Sequence, residues 1–282
     1  MTLTKRALCA SLLLLGSVAF AAPPKPVKSL RVYVFDCGTI EVKDISVFSP
    51  GVDAGTKKVL TDSCYLVVHP KGTLMWDTGL PDGLASLKDG KQVSEGFHAR
   101  MNQALSAQLR GVGYAPDDIK YLGLSHMHFD HVGNVGLFPK ATLLMQKEEY
   151  ESALGPDAGK FGNNPKDYPS LADNPHEQLE GDRDVFGDGS VVIKRALGHT
   201  PGHQLLFVKL KQAGNVVISG DMAHFTKNWE NRRVPSFNFD KEMSVKTMNE
   251  MGDFIKANKA TLWIQHDFEQ NKGIRHAPKF IE

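Results

Sequence analysis

A chain of 282 residues with 41% hydrophobic and 23% charged residues has enough apolar sequence to bury a core and too little bias to be disordered or of low complexity. Its 33 Lys and Arg nearly balance 32 Asp and Glu, so no broad field recruits nucleic acid or an anionic lipid surface.

The chain opens with Lys5 and Arg6 ahead of the apolar run ALCASLLLLGSVAF, which ends in Ala19-Phe20-Ala21. This is the pattern of a secretory signal peptide over residues 1–21, cut after Ala21 and directing the protein to the periplasm or the medium. The run is shorter than the ~20 apolar residues a spanning helix needs, which makes a membrane anchor the weaker alternative. Cleavage removes Lys5 and Arg6, taking the basic count from 33 to 31 against 32 acidic residues, a mature charge of about −1. The Pro-rich APPKP that follows makes 22–29 a flexible lead-in, and residues 30–282 show no linker or repeat and read as one domain.

Strands are predicted at LRVYVFDCG (30–38), SCYLVVH (63–69) and TLMWDTG (73–79), the last two forming a hairpin around Pro70-Lys71-Gly72. Cys37 and Cys64 lie at the edges of these apolar runs. They are expected to be two buried thiols, with a disulfide as the alternative that an oxidising compartment permits. Phe97, Met101, Ala104, Leu105 and Leu109 recur at helical spacing and predict a helix over 95–109. The apolar run IKYLGLS (119–125) then delivers the chain into SHMHFDH. Further strands are predicted at ATLLMQ, SVVIKRAL, HQLLFVKL and NVVISGD, then a helix over 241–258 and the strand TLWIQ. Strands separated by helices, with ligand-type residues at their ends, imply an α/β sandwich with its site along one sheet edge. The Gly-, Pro- and Asn-rich stretch 151–187 is a long loop that shapes an entrance.

The chemistry concentrates in SHMHFDHVGN (125–134). His126 and His128 alternate with Met127 and Phe129, so in an extended segment both imidazoles face one way. Asp130 and His131 turn the other way if a helix begins there. Other strand ends supply His199 in GHTPGH, Asp221 in ISGD and His266 in WIQHD. His126, His128 and His199 can hold one metal and Asp130, His131 and His266 a second, with Asp221 bridging, and three ligands per ion leave the open position of a catalytic site. His69, His98, His176 and His276 read as ordinary surface residues, and His203 as a residue that orients the GHTPGH turn.

HxHxDH followed by a distant His, a strand-end Asp and a final His resembles the metallo-β-lactamase superfamily, which implies an αββα sandwich with a dinuclear metal site at the sheet edges. The DTG at 77–79 matches that superfamily's early strand and makes Asp77 a support behind the ligands. Within it the chain is most similar to the N-acyl homoserine lactonases. CYLVVHPKGTLMWDTGLP, SHMHFDHVGN, LEGDRDVF, GHTPGHQ, SGD, VPSFNFD and HDFEQ occur in their order, and several of these strings are not needed for metal binding. The resemblance implies two zinc ions sharing a water that attacks a lactone carbonyl, Asp130 passing the proton to the leaving alkoxide, and a small-molecule lactone as partner. Met127 and Phe129 are candidates to line a pocket for an acyl tail. Two departures stand out: the family's frequent tyrosine three residues past the bridging Asp is His224 here, a candidate to donate to the substrate carbonyl, and the well-known members lack an export signal. Organophosphate triesterases share the cluster and often the export signal. A glyoxalase II-like thioesterase is disfavoured, because only 16 residues follow His266. A zinc-binding protein without catalysis and a homodimer both stay open.

Overall fold

The computed structural model describes residues 26–156 and 158–282, so the signal peptide and the first half of the lead-in, residues 22–25, lie outside the described residues. The strands are β1 (Arg31–Val42), β2 (Lys58–His69), β3 (Gly72–Trp76), β4 (Lys91–Ser94), β5 (Phe97–Arg100), β6 (Tyr121–Gly123), β7 (Thr142–Gln146), β8 (His176–Leu179), β9 (Arg183–Asp184), β10 (Val191–Arg195), β11 (Gln204–Leu210), β12 (Gly214–Ile218) and β13 (Thr261–Trp263). The α-helices are α1 (Leu105–Gly111), α2 (Phe129–Val132), α3 (Lys147–Leu154), α4 (Thr226–Asn231), α5 (Lys241–Ala257) and α6 (Phe268–Asn271). None of the helices among the described residues is long and apolar enough to cross a membrane.

Two sheets form the sandwich, one in the order β4-β5-β1-β2-β3-β6-β7-β8 and the other β13-β12-β11-β10-β9. The two-residue period of a strand sorts its side chains to opposite layers. In β1, Val32 and Val34 enter the interior between the sheets, where they join Leu74, Trp76, Ile193, Leu206, Val208 and Ile218. Tyr33, Phe35 and Cys37 face the other way, against Leu105 and Leu109 of α1 and Ala153 of α3. The second sheet repeats the scheme, with Leu205, Phe207 and Val217 covered by Met248 and Met251 of α5. The result is the αββα layering implied by the sequence. Where β3, β6 and β7 run parallel, and again at β12 and β13, the strands end at one edge of the sandwich. That edge is where chain reversals deliver ligand-type residues.

Three expectations need correction. The predicted helix over 95–109 divides into β5 and α1. Residues 97–100 pair with Thr39–Val42 of β1. The helix cannot start before Leu105, because the remote carboxylate of Asp82 accepts from Leu105 N at 2.6 Å and Ser106 N at 3.2 Å and so caps it there. Cys37 and Cys64 are joined in a disulfide rather than kept as thiols. The register places Cys64 opposite Phe35, and a bulge between Asp36 and Gly38 brings Cys37 across to it. The stretch 151–187 is also less irregular than a loop, since it contains the end of α3, short 3-10 turns, β8 and β9, with Tyr168 and Leu171 buried.

Both half-cystines are fully buried beneath Gly79 of the DTG turn, whose φ is +64°. A Cβ there would meet Cys37 Cβ at 2.3 Å. The bridge closes a sequence separation of 27. From that loop length, Cys37→Ser combined with Cys64→Ser is expected to lower the unfolding free energy by about 3 kcal/mol. Urea unfolding of the two proteins measures it, and coincident midpoints would show that the bridge adds nothing.

Candidate metal centre

The turns after β3, β6, β10, β12 and β13 converge at the sandwich edge. His128 is in extended backbone and α2 begins immediately after it, so Asp130 and His131 stand on the first turn of a helix. Glycine makes the close approaches possible. Gly220, with φ +49°, lies where a Cβ would be 2.6 Å from His203 Nε2 and 2.9 Å from Ser125 Cβ. Gly162 lies where a Cβ would be 2.5 Å from His128 Nε2, so the 158–164 loop covers that ring closely.

The centre holds two groups of donor atoms within 4.8 Å of one another: His126, His128, His199 and Asp221, and beside them Asp130, His131 and His266. His128 Nδ1 lies 3.0 Å from His126 Nε2 and 3.1 Å from His199 Nε2, and His131 Nε2 lies 3.2 Å from His266 Nε2. Asp221 stands between the groups. Its Oδ1 is 3.2 Å from His131 Nε2 and 3.0 Å from His266 Nε2, and its Oδ2 is 3.3 Å from His199 Nε2 and 3.6 Å from His126 Nε2. One oxygen therefore faces each group, as a bridging carboxylate requires.

The far side of each imidazole shows whether this cluster suits a cation. His131 Nδ1 is 2.9 Å from Asp77 Oδ2, His199 Nδ1 is 2.9 Å from Asn238 Oδ1, and His266 Nδ1 is 2.7 Å from the Thr61 carbonyl. His126 Nδ1 is 3.0 Å from Ser125 Oγ, and the Phe161 carbonyl accepts from the His128 ring. Each ring so donates outward, leaving the inward nitrogen free to turn a lone pair to a cation. Without a cation the neutral His126 and His128 set lone pairs against each other, and the carboxylates hold a proton on His131 and His266 in its place. Asp221 Oδ1, buried and without a hydrogen-bond partner, faces the same space. The donor set fits two divalent ions.

Protonation follows from the same geometry. Burial holds His126 and His128 well below the usual imidazole range. Burial acts against the charge on His131 too, but Asp221, Asp77 and Asp130 outweigh it and hold that ring well above its usual value. His266 is likewise pushed up to about 9, against burial, chiefly by Asp221. Burial also opposes ionisation of Asp221, yet His266, His224 and His131 keep its carboxyl well below the carboxylate range.

Asp77 lies behind the His131 ring, on the side away from the centre. It accepts from Ser125 N at 2.6 Å and Gln265 Nε2 at 2.8 Å as well as from His131. His203 has both ring nitrogens taken by backbone, Nδ1 donating to Ala196 O and Nε2 accepting from Asp221 N, so it holds the turn. His224 is buried with Nε2 3.0 Å from Asp221 Oδ2, and its ring packs against Phe48 at 4.4 Å. Met127 does not line the pocket. The alternation that turns His126 and His128 to the centre sends Met127 into the core with Leu124, Val132 and Val135. Phe129 does reach the pocket. His69 is not a surface residue, since it is buried, stacked on Phe186, with Nε2 2.9 Å from Asp188.

Beside the centre lies a cavity of about 260 Å³ whose walls include Phe48, Phe97, Phe129 and Phe237, with Asp130, Asp221, His224 and His266 at its polar end. Phe48, Phe97 and Phe237 were not anticipated, because aromatic residues dispersed over such distances carry no local signal. Asn238 was within reach, since the VPSFNFD string that contains it has no other evident purpose.

The sequence profile of the metallo-beta-lactamase superfamily matches residues 59–254. An N-acyl homoserine lactonase, AiiA, from Bacillus thuringiensis subsp. kurstaki is 32% identical over 226 residues, covering 77% of this chain and 86% of the relative. AttM of Rhizobium radiobacter, an N-acyl homoserine lactonase, is 28% identical over 262 residues, 89% and 98% of the two chains. A solved N-acyl homoserine lactone hydrolase with the product N-hexanoyl-L-homoserine at its catalytic metal center superposes with a TM-score of 0.76 at 30% identity, over 90% of this chain and 100% of that one.

Because both Asp221 oxygens face ligand groups, Asp221→Ala is expected to cost the folded protein one or both metal equivalents. Metal analysis after gel filtration measures it. Two equivalents retained with full activity would remove Asp221 from the bridging position.

Proposed function

The chain belongs to the metallo-beta-lactamase superfamily, and from that premise we propose that it is a metal-dependent hydrolase that opens the lactone ring of N-acyl homoserine lactones, a quorum-quenching activity. The observation that carries the reading is the junction of a convergent His/Asp centre with an aromatic-walled cavity of about 260 Å³ that suits an apolar acyl tail. The lactonase relatives support it across most of the chain.

In this reading His126, His128 and His199 hold one ion, Asp130, His131 and His266 the other, and Asp221 both. Zinc suits these nitrogen and oxygen donors. Two such ions polarise an ester carbonyl and bring the pKa of water down to ~7. Phe48, Phe97, Phe129 and Phe237 take the apolar tail and keep water from the reacting ester. Asp130, at the polar end of the cavity, receives the proton of the attacking water and returns it to the ring oxygen as the carbonyl carbon–oxygen bond breaks. The product is the open hydroxy acid, with one water consumed.

His224 remains neutral, because burial takes its pKa to about 4. A neutral imidazole has one N–H. With its Nε2 beside Asp221, that hydrogen is shared with the carboxylate until a lactone carbonyl enters as the alternative acceptor. Export to the periplasm or medium, proposed from the amino-terminal pattern, is supported by the buried Cys37–Cys64 bridge, which is at home in an oxidising compartment. Amino-terminal sequencing of the protein from its host, with a start near Ala22, reads this directly.

The defining experiment compares kcat/KM for a long-chain acyl homoserine lactone, a simple aliphatic lactone and a phosphotriester. The acyl homoserine lactone is expected to be cleaved far faster than the phosphotriester, and the reverse order would make the protein a triesterase. For His224→Ala we expect full metal content with turnover down by roughly one to two orders of magnitude, and for His224→Tyr much of the activity kept. Unchanged kinetics in metal-replete His224→Ala would leave the ring without a role toward substrate.

A further inference from the structure

Glu149, on α3, is 1% exposed and belongs neither to the ligand set nor to the cavity wall. Its Oε1 accepts from Met127 N at 2.9 Å, and its Oε2 accepts from Thr200 Oγ1 at 2.7 Å and Gly202 N at 2.9 Å. Met127 is the residue between His126 and His128. Thr200 directly follows His199, and Gly202 completes the same turn. One buried carboxylate therefore ties together the two segments that supply the three-histidine group. No hydrogen bond among the described residues joins it to Asp130, His131 or His266.

The chemistry calls for a carboxylate in particular. Three donors converge on the group, and an ionised carboxylate offers acceptors only. Charge-assisted bonds of this kind are stronger than neutral ones and shorten the tolerance on position. The contact is also close in a steric sense, because a Cβ at Gly202 would lie 2.2 Å from Glu149 N.

We infer that Glu149 is a positioning residue that locks the His126/His128 segment to the His199 turn and so sets the metal affinity of the three-histidine side of the centre. This rests on the ligand assignment above. In Glu149→Gln the amide oxygen keeps Met127 N, but the NH2 group faces Gly202 N–H. The Thr200 hydroxyl can reverse its role and accept, whereas a backbone N–H cannot. The His199 turn then moves away from His126 and His128. Gly202→Ala reaches the same displacement from the opposite side, by pushing the turn off α3.

The test is a zinc titration of the metal-stripped full chain against a chromophoric chelator, repeated with cobalt to follow the absorption of each site. Wild type takes two equivalents. Glu149→Gln is expected to bind one of them about 10–100-fold more weakly and the other unchanged, with loss of one cobalt signature. Leu109→Ala, a fully buried position in α1, is the control for lost stability and is expected to keep both affinities. Where Glu149→Gln does not fold, Gly202→Ala is read in its place. Two unaltered affinities in the folded variant overturn the inference, and so does equal weakening at both sites matched by Leu109→Ala. A wild-type chain that takes fewer than two equivalents overturns the ligand assignment and this inference with it.

Discussion

The structure depends on a constraint peculiar to imidazole. A buried ring that turns one lone pair to the centre must give its other nitrogen's hydrogen to a fixed acceptor, or a buried donor is left unpaired at a cost of about 1–3 kcal/mol. Five rings meet here, and their acceptors are Ser125, the Phe161 carbonyl, Asp77, Asn238 and the Thr61 carbonyl, drawn from segments far apart in the chain. Placing them requires that β2, β3, β6 and the 158–164 and 234–240 segments all be fixed at one edge. The sandwich supplies that edge, and the disulfide beneath Gly79 holds the DTG turn from below.

Asp77 shows how the constraint reaches the backbone. Its φ is +55°, a left-handed conformation that disfavours a side chain by about 1 kcal/mol. Asp is among the residues that tolerate it best. The conformation directs the carboxylate into the interior, where Oδ1 accepts from Ser125 N and Oδ2 from His131 and Gln265. Three hydrogen bonds to a charged group outweigh the strain. They also fix β3, the His126 segment, α2 and the turn after β13 to a single point, which explains why a carboxylate that touches no substrate occupies the heart of the site.

What was legible in the sequence follows the same division. The long strands could be read because β-branched and aromatic runs alternate in register with the layers, as Val32 and Val34 do against Tyr33 and Phe35. The donor cluster could be read because HxHxDH is dense and its remaining members end strands. The helix over 95–109 could not, since Phe97 to Leu109 satisfy a helical period while Asp82, remote in sequence, decides where the helix starts. The Cys37–Cys64 bridge needed a bulge that no residue type announces. Met127 is a different case. Its burial in the core was implied by the alternation that placed His126 and His128, so the information was present and the period settles it. Glu149 gives no sign at all, as an acidic residue early in a helix is ordinarily solvated.

Apart from Phe129, which stands between His128 and Asp130, the aromatic walls and the metal-site donors come from different parts of the fold. Ligands stand at the ends of sandwich strands, whereas Phe97 comes from the β4–β5 hairpin, Phe48 from the turn after β1, Gly162 from the loop after α3 and Phe237 from the segment before α5. These walls can therefore change shape without disturbing the donor set. In the 234–240 segment a wall and the support of a donor also share one stretch of chain. Phe237, 48% exposed at the cavity wall, directly precedes Asn238, the acceptor for His199 Nδ1, and Phe239 N donates to the His199 carbonyl at 3.0 Å. Asn238 is held in turn by Ser244 of α5 through a 2.9 Å bond. A tail that displaces Phe237 pulls on the residue that orients His199, while Phe97 adjoins the centre only through Phe48. Phe237 thus joins Phe129, which stands between His128 and Asp130, and Phe48, whose ring packs on His224, as walls through which the size of a bound tail can reach the metal centre.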